Sequence, residues 1–331
     1  MTPGGAGGAS GEGAGGAGPD GVPALVVRGT PVDLTEPALM AIVNATPDSF
    51  SDGGRYTTTG AQVERALELV EAGAAIVDVG GQSGITGVPE VPAAEEIARV
   101  VPLVTGILAA RAGAVVSVDT YRPEVVRAVL DAGAAMVNDV SGLRHPEIAE
   151  LCGEAGAGLV VMHTRARPKQ KLLDPALYGP HADDVTGDVV ARLTDLLARA
   201  RAGGVAADAT VVDPGPDFAK TPRQTVAVLQ AIHRVAALGR PILLALSRKD
   251  FIGAITGRPP QGRLGGTLAA VGHLAGVPGA ILRVHDVGAV ADYLRVAAVL
   301  SGRADIPDDL MLPDHLRREP GGPGGPGGTQ P

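Results

Sequence analysis

Eight short aliphatic runs recur along this chain, and a stretch of helical period follows each of them. They are "LMAIV" (39–43), "AIVDV" (75–79), "AVVSV" (114–118), "AMVN" (135–138), "GLVVM" (158–162), "ATVVD" (209–213), "PILLAL" (241–246) and "GAILRV" (279–284). The clearest helical stretches lie at 59–72, 92–111, 122–132, 189–203, 221–238, 264–276 and 286–301. A run that is apolar on consecutive residues, rather than on alternate ones, reads as a parallel strand covered on both faces. Eight such βα units predict a closed (β/α)8 TIM barrel, an α/β fold. A doubly wound open sheet is the competing architecture. No GxGxxG opens a helix after the first run, which weakens the dinucleotide-binding version of that alternative.

The supply of side chains suits tight aliphatic packing: 45% of the 331 residues are hydrophobic, aromatics are only 2% and Trp is absent. Residues 1–23 and 303–331 are Gly/Pro-rich and cannot bury enough surface to offset the entropy of ordering, so both are expected to be disordered tails around a barrel at 24–302. The net charge is −8, with no block of Lys or Arg, which argues against a nucleic-acid partner. The single cysteine, Cys152, rules out an internal disulfide or a Cys-based metal site and reads as a small buried hydrophobe in a reducing compartment. No basic residue precedes Arg28 and no apolar run reaches membrane-spanning length, so a soluble, cytoplasmic protein is expected.

In a barrel the active site lies at the C-terminal ends of the strands. Here those ends carry Asn44, then Asp78 followed by "GGQS", Asp119, Asn138 with Asp139, His163, Asp213, Ser247-Arg248-Lys249, and Arg283 with His285. Asp and Asn at such junctions often do no more than cap the next helix. Capping does not account for the Lys and Arg, because cations are disfavoured at helix N-termini. Asp119, Asn138 and Asp213 offer acceptors and an amide that can engage a planar, donor-rich heterocycle edge-on. Asn44, Arg283 and His285 have the chemistry to bind an anion, Arg in forked geometry to phosphate oxygens. His163 also reads as a satisfied core imidazole, and Arg248 as a partner in a surface ion pair. Glycines in "DSFSDGG" (48–54) and "GGQSGITG" (80–87) mark loops where backbone approaches something closely.

These residues sit in motifs that resemble the dihydropteroate synthase family of pterin-binding barrels: "MAIVNATPDSFSDGG", "GAAIVDVGGQS", "SVDTYRPEV", "MVNDVSG", "VMHT", "VVDPGPDFAKTP", "ALSRKDFIG", "GTLAA" and "RVHDV". The resemblance runs from about 38 to 301. It implies condensation of 6-hydroxymethyl-7,8-dihydropterin diphosphate with p-aminobenzoate, giving 7,8-dihydropteroate and pyrophosphate in folate biosynthesis. It implies that Asp119, Asn138, Met162, Asp213, Phe218 and Lys249 hold the pterin, and that Asn44, Arg283 and His285 hold the diphosphate. Asn44, Lys249, Arg283 and His285 would then act in catalysis, with Asn44 beside Mg2+ as cofactor. Family members are usually homodimers, joined through barrel helices late in the chain. Pterin-binding methyltransferases share the barrel but not, as a rule, the "TPDSFSDGG" loop.

The departures from the family pattern cluster in the second loop, usually Gly-Gly-Glu-Ser-Thr-Arg-Pro-Gly. There Gln82 replaces Glu, Gly84 replaces Thr, Ile85 replaces Arg and Thr86 replaces Pro. A charged hydrogen bond such as that Arg could make is worth roughly 1.5 to 3 kcal/mol, so a tenfold or greater loss is expected where nothing compensates. Asp217 and Ala219 stand where glycines are usual, and Asp250 follows "SRK" where a small or apolar residue is common. The pterin half is thus intact and the second-substrate half altered, which leaves a pterin-binding paralogue without synthase activity, or with another amine acceptor, as the alternative reading.

Overall fold

The computed structural model describes residues 21–45, 58–84, 86–179 and 182–317. The loop with Phe50, Ile85 and, of the expected tails at 1–23 and 303–331, residues 1–20 and 318–331 lie outside the described residues. Eight parallel strands close into a barrel, which removes the open doubly wound sheet as an architecture. They are β3 (Ala38–Asn44), β4 (Ala74–Gly80), β5 (Val115–Asp119), β6 (Met136–Asp139), β7 (Gly158–Met162), β8 (Thr210–Asp213), β9 (Ile242–Leu244) and β10 (Ala280–Val284). Each matches an expected run to within a few residues, and closure comes from β10 pairing with β3 from Ile281–Ala38 to Val284–Ala41.

The helices on the outside are α1 (Thr59–Glu71), α2 (Ala93–Ala110), α3 (Pro123–Asp131), α4 (Glu147–Ala155), α5 (Ala182–Ala202), α6 (Pro222–Gln230), α7 (Ile232–Ala236), α8 (Asp250–Thr256), α9 (Leu264–Leu274) and α10 (Val287–Leu300). Local signals set several ends. Thr58 caps α1 by accepting from the Ala61 N–H at 3.2 Å. Thr221 and Gln224 form a reciprocal capping box on α6, with Pro222 at its first position. The single stretch expected at 221–238 is split, because Ala231 (φ −98°, ψ 24°) leaves helical geometry between α6 and α7. The short helices α4 and α8 were not among the clearest stretches.

Side chains in a strand alternate between faces, so one parity points into the barrel and the other at the helices. Val77, Val79, Val116, Val118, Leu159 and Val161 belong to the large cluster beneath the helices. Met40, Ile76, Met136, Val160, Val211, Leu243 and Ile281 form a second cluster on the opposite parity, inside the barrel. Two residues further along that inward parity come Ile42, Asp78, Asn138, Met162, Asp213 and Arg283. The interior is therefore apolar at its N-terminal end and polar at its C-terminal end.

The apolar end is closed by a hairpin that the run pattern did not reveal. Strands β1 (Leu25–Val27) and β2 (Thr30–Val32) pair antiparallel through a two-residue turn in which Arg28 and Gly29 have φ of 49° and 75°. Each strand is only three residues long and β2 contains Pro31, which is why neither reads as a strand in isolation. Leu25, Val27, Val32 and Leu34 join the inner cluster and plug the barrel floor. Arg28 fastens the turn there, its N–H donating to the Gly156 carbonyl at 2.8 Å and its guanidinium to the Leu130 carbonyl at 3.0 Å. Gly158 begins β7 where this plug presses in: a Cβ there would lie 2.7 Å from Val27 and 2.9 Å from Met136.

Residues 303–317 are exposed except for Arg317, and contain one 3-10 turn at Asp314–Leu316. Arg303 pairs with Glu36 at 3.0 Å.

Leu25→Ala should cost about 2 to 5 kcal/mol of unfolding free energy, as expected for a buried Leu that leaves a cavity. Val26→Ala, on the more exposed side of the same strand, should cost markedly less. Equal losses for the two in equilibrium denaturation would show that the hairpin is not a plug.

Candidate active site

The polar end of the barrel is organised by Asp78, a fully buried carboxylate on β4. It accepts from the Ser117 hydroxyl at 2.7 Å, the Asn138 amide at 3.1 Å and Arg283 Nε at 2.6 Å. Arg283 then reaches Asp119 with Nη2 at 2.9 Å, so one guanidinium bridges two carboxylates. Burial works against the charge on Arg283, but Asp78 and Asp119 more than offset it and its pKa is raised. Burial also dominates at Asp119, with only partial relief from Arg283 and added repulsion from Asp78, and raises its carboxyl to about 7. Asn138 gives its amide nitrogen to Asp78, and its Oδ1 has no hydrogen-bond partner among the described residues.

Asp213, at the end of β8, is buried, and its carboxyl is raised by burial despite the Gly215 N–H that it accepts at 2.7 Å. The loop that follows carries left-handed backbone at Gly215, Asp217 and Ala219, with φ of 65°, 64° and 52°. Gly215 has no alternative there, because a Cβ would stand 2.1 Å from the His163 carbonyl oxygen. The glycine-like conformation at 217 and 219 is thus kept by residues that have side chains. Phe218 lies beneath Lys249, whose Nζ is 4.5 Å from the ring centroid.

Lys220 holds this loop from inside. Only 1% exposed, it donates to the carbonyls of Gly215 (2.9 Å) and Phe218 (3.2 Å) and to His163 Nδ1 (2.8 Å). Burial, then the nearby Lys220, lowers His163 to about 4. The imidazole is therefore neutral, with Nδ1 accepting from Lys220 and Nε2–H donating to Asp188 at 2.9 Å. Arg165 pairs with the same Asp188, and the guanidinium sits 5.3 Å from the Tyr178 ring centroid. Tyr178 returns to the loop by donating to the Ala219 carbonyl at 2.9 Å. His163 is the satisfied core imidazole that its surroundings in sequence suggested.

The turn between β9 and α8 presents Ser247 and Lys249 on either side of Arg248, itself left-handed at φ 60°. Thr267 Oγ1 accepts the Arg248 N–H at 3.1 Å, and Arg263 donates to its carbonyl at 2.8 Å. Arg248 pairs with Asp286 at 2.9 Å, part-buried rather than at the surface as expected. His285 accepts through Nδ1 from the Ser247 hydroxyl at 2.9 Å. Burial, with Arg248 and Arg283 nearby, lowers His285 to about 3, which leaves Nε2–H as a neutral donor.

The second loop rests on α2 and on the loop after β7. Arg99 donates to the Gly81 carbonyl at 3.0 Å, and Lys169 donates to the Ser83 carbonyl. Gln82 donates to the buried Glu96 at 3.4 Å, which also accepts from Arg122 at 3.2 Å. A Glu at 82 would bring a second carboxylate to the same place, beside a Glu96 whose pKa burial already raises.

The expected ring-binding residues Asp119, Asn138, Met162 and Asp213 share the inward parity, and Phe218 and Lys249 meet above them. The expected anion group is not a separate cluster. Arg283 is committed to Asp78 and Asp119, while His285 leans on Ser247. Asn44 ends β3 on the inward parity, and its backbone carbonyl accepts from Gln62 at 3.5 Å. The hub Asp78 and the clamp Lys220 were not among the expected site residues. An Asp in the middle of the run "AIVDV" was the available signal for the first, since a buried strand position tolerates a carboxylate only when it is paired. Lys220 stands within the motif "VVDPGPDFAKTP", but its residue type alone gave it no role. Cys152 is buried, with its thiol pushed up to about 12 by burial, as the reading of a small buried hydrophobe implies.

The family description "Pterin binding enzyme" matches residues 40–285. Dihydropteroate synthase of Mycobacterium leprae is 42% identical over 266 residues, covering 78% of this chain and 91% of the relative. A second protein of that organism, named inactive dihydropteroate synthase 2, is 38% identical over 279 residues, covering 83% and 94%. The structure of dihydropteroate synthase from Xanthomonas albilineans in complex with 7,8-dihydropteroate superposes with a TM-score of 0.73 at 39% identity, over 84% of this chain and 99% of that one. With its barrel, its polar strand ends and these relatives, the chain belongs to the pterin-binding enzyme family.

Proposed function

We propose that the chain is an active dihydropteroate synthase, joining 6-hydroxymethyl-7,8-dihydropterin diphosphate to p-aminobenzoate in folate biosynthesis. The observation that carries this reading is the inward polar ring built on Asp78, with Asp119, Asn138 and Asp213 turned to one mouth. Their carboxylates and the Asn138 Oδ1 match the amino and ring N–H donors of a pterin edge. Their negative charge also favours the transition state. The bond between the methylene carbon and the diphosphate oxygen breaks, its electron pair leaves with pyrophosphate, and positive charge spreads into the ring between the carboxylates. The amine lone pair of p-aminobenzoate then forms the C–N bond, and its proton passes to solvent.

On the leaving side, Arg283 supplies a cation and His285 a neutral N–H donor, with Lys249 above the ring. Asn44 contributes a hard amide oxygen. Among the described residues no group of three or more His, Cys, Asp or Glu is placed to hold a metal ion. Such a donor set fits Mg2+ that arrives with the substrate, because Mg2+ keeps several waters and takes one or two protein oxygens plus phosphates. When bound, the ion would neutralise charge on the departing pyrophosphate.

A homodimer is part of this proposal. The exposed Ile255, Leu264, Val296 and Leu300 on α8, α9 and α10 (69%, 37%, 57% and 82% exposed) support an interface on that side. A cytoplasmic location, without nucleic-acid or membrane partners, is also proposed. It is supported by the acidic net charge of −8 and by the lack of any helix, among the described residues, long and apolar enough to cross a membrane.

Gly84 and Ile85, together with the likeness to a relative named inactive, favour a second reading in which pterin is bound without turnover. Purified protein given both substrates and Mg2+ should release pyrophosphate and form dihydropteroate, and the gene should rescue a folate-requiring strain. Binding of the pterin diphosphate by calorimetry without turnover would establish the second reading instead. If the second loop limits catalysis, the double variant Gly84→Thr with Ile85→Arg should raise kcat/KM by about tenfold or more, the worth of one charged hydrogen bond. An unchanged kcat/KM would remove that loop as the limiting element.

A further inference from the structure

Helix α8 starts in an unusual way. Its N-cap is Lys249, which has no acceptor to offer the free N–H groups of the first turn and makes no side-chain cap. The missing acceptor comes from another loop. Asp217 Oδ2 accepts the Phe251 N–H at 3.2 Å, while Oδ1 accepts the Thr225 hydroxyl of α6 at 3.0 Å. The Asp217 N–H donates in turn to Thr225 Oγ1 at 3.0 Å. One residue therefore ties the loop after β8 to α6 on one side and to the head of α8 on the other.

We propose that Asp217 is a positioning residue for Lys249: by capping α8 in trans, it sets the ammonium group against Phe218 at the mouth of the barrel. The backbone at 217 supports this. At φ 64° it lies in the left-handed region, where glycine is free of strain and Asp is among the few side chains tolerated. The position thus accepts a conformational cost and gains two side-chain hydrogen bonds that glycine could not make. The next residue is Phe218, whose ring lies 4.5 Å from the ammonium group, so the tie and the contact are adjacent in the chain.

Charge points the same way. Burial lowers the pKa of Lys249; Asp217 leads the groups that oppose this, followed by Asp213 and, more weakly, Asp119, while Arg283 adds to the lowering. Lys220, buried beneath the same loop, is a further lysine close by, its own pKa lowered to about 7 by burial. A carboxylate beside the first turn also suits the positive end of the helix, where Lys249 alone would be unfavourable. Asp217 thereby places Lys249 and opposes the lowering of its pKa by burial. The role of that lysine in turnover rests on the proposed synthase reading.

Three variants and two readouts test this. Asp217→Asn keeps an acceptor and a residue type that tolerates φ 64° but removes the charge; Asp217→Gly removes the tie and the strain together; Thr225→Val removes only the α6 side of the tie. The titration of Lys249 is followed by NMR of 13C-methylated lysines, assigned with Lys249→Arg, and needs no turnover. Its midpoint should fall by about 1 unit in Asp217→Asn, since loss of a nearby opposite charge disfavours the ammonium form. The alkaline limb of kcat/KM should move to lower pH by the same amount. Asp217→Gly should lose at least tenfold in kcat with a thermal midpoint close to that of the parent, whereas Thr225→Val should lower the thermal midpoint and leave the Lys249 titration in place. An unshifted Lys249 midpoint in Asp217→Asn, or full kcat in Asp217→Gly, would overturn the proposal. Absence of turnover in the parent protein would count against the synthase reading alone, because the titration is read independently.

Discussion

Asp78 and Arg283 form the ion pair on which the mouth of this barrel depends. The carboxylate is fully buried and the guanidinium side chain is only 19% exposed, so neither is solvated well enough to stand alone. Removing one partner of such a pair typically costs about 3 to 5 kcal/mol, because the other is left buried and charged. Ser117 and Asn138 complete the shell of Asp78, which joins β4, β5, β6 and β10 across the inside of the barrel. Orientation follows from this. With its nitrogen held by Asp78, Asn138 has only its oxygen to turn to a ligand; with Nε held, Arg283 carries its far nitrogen to Asp119.

A second, independent clamp fixes the other side of the mouth. Lys220 gathers two carbonyls and the His163 imidazole beneath the β8 loop, and His163 passes the connection to Asp188. The depressed His163 pKa is what allows it to accept from a lysine and donate to a carboxylate at once. The loop can then hold left-handed backbone at three alternate residues and still present Phe218 to Lys249. Strain at such a site persists because the surrounding hydrogen bonds over-determine it.

Much of this architecture was legible in the linear sequence. Parallel strands buried on both faces leave consecutive apolar runs, and every one of the eight appears as a strand of the closed barrel. The polar residues at the ends of those runs, from Asn44 and Asp119 to Asp213 and Arg283, mark the functional end for the same reason. The floor hairpin was hidden by its length and by Pro31, and the break at Ala231 by a helical period that continues across it. The pairing of Arg283 with Asp78 and Asp119 was hidden as well, because both carboxylates belong to other strands.

The sequence by itself determined the strand count, the buried faces and the end at which polar groups emerge, because these follow from consecutive apolar runs and from the polar residues that end them. Only the tertiary structure decided which polar groups are partners. Arg283 and Asp78 are 205 residues apart and meet because β10 closes against β3, next to β4. Asp217 meets the head of α8, 34 residues away, only because two loops converge above the same barrel. Pairing at such separations is set by closure of the sheet and by the register of its strands, and no local stretch of residues contains either.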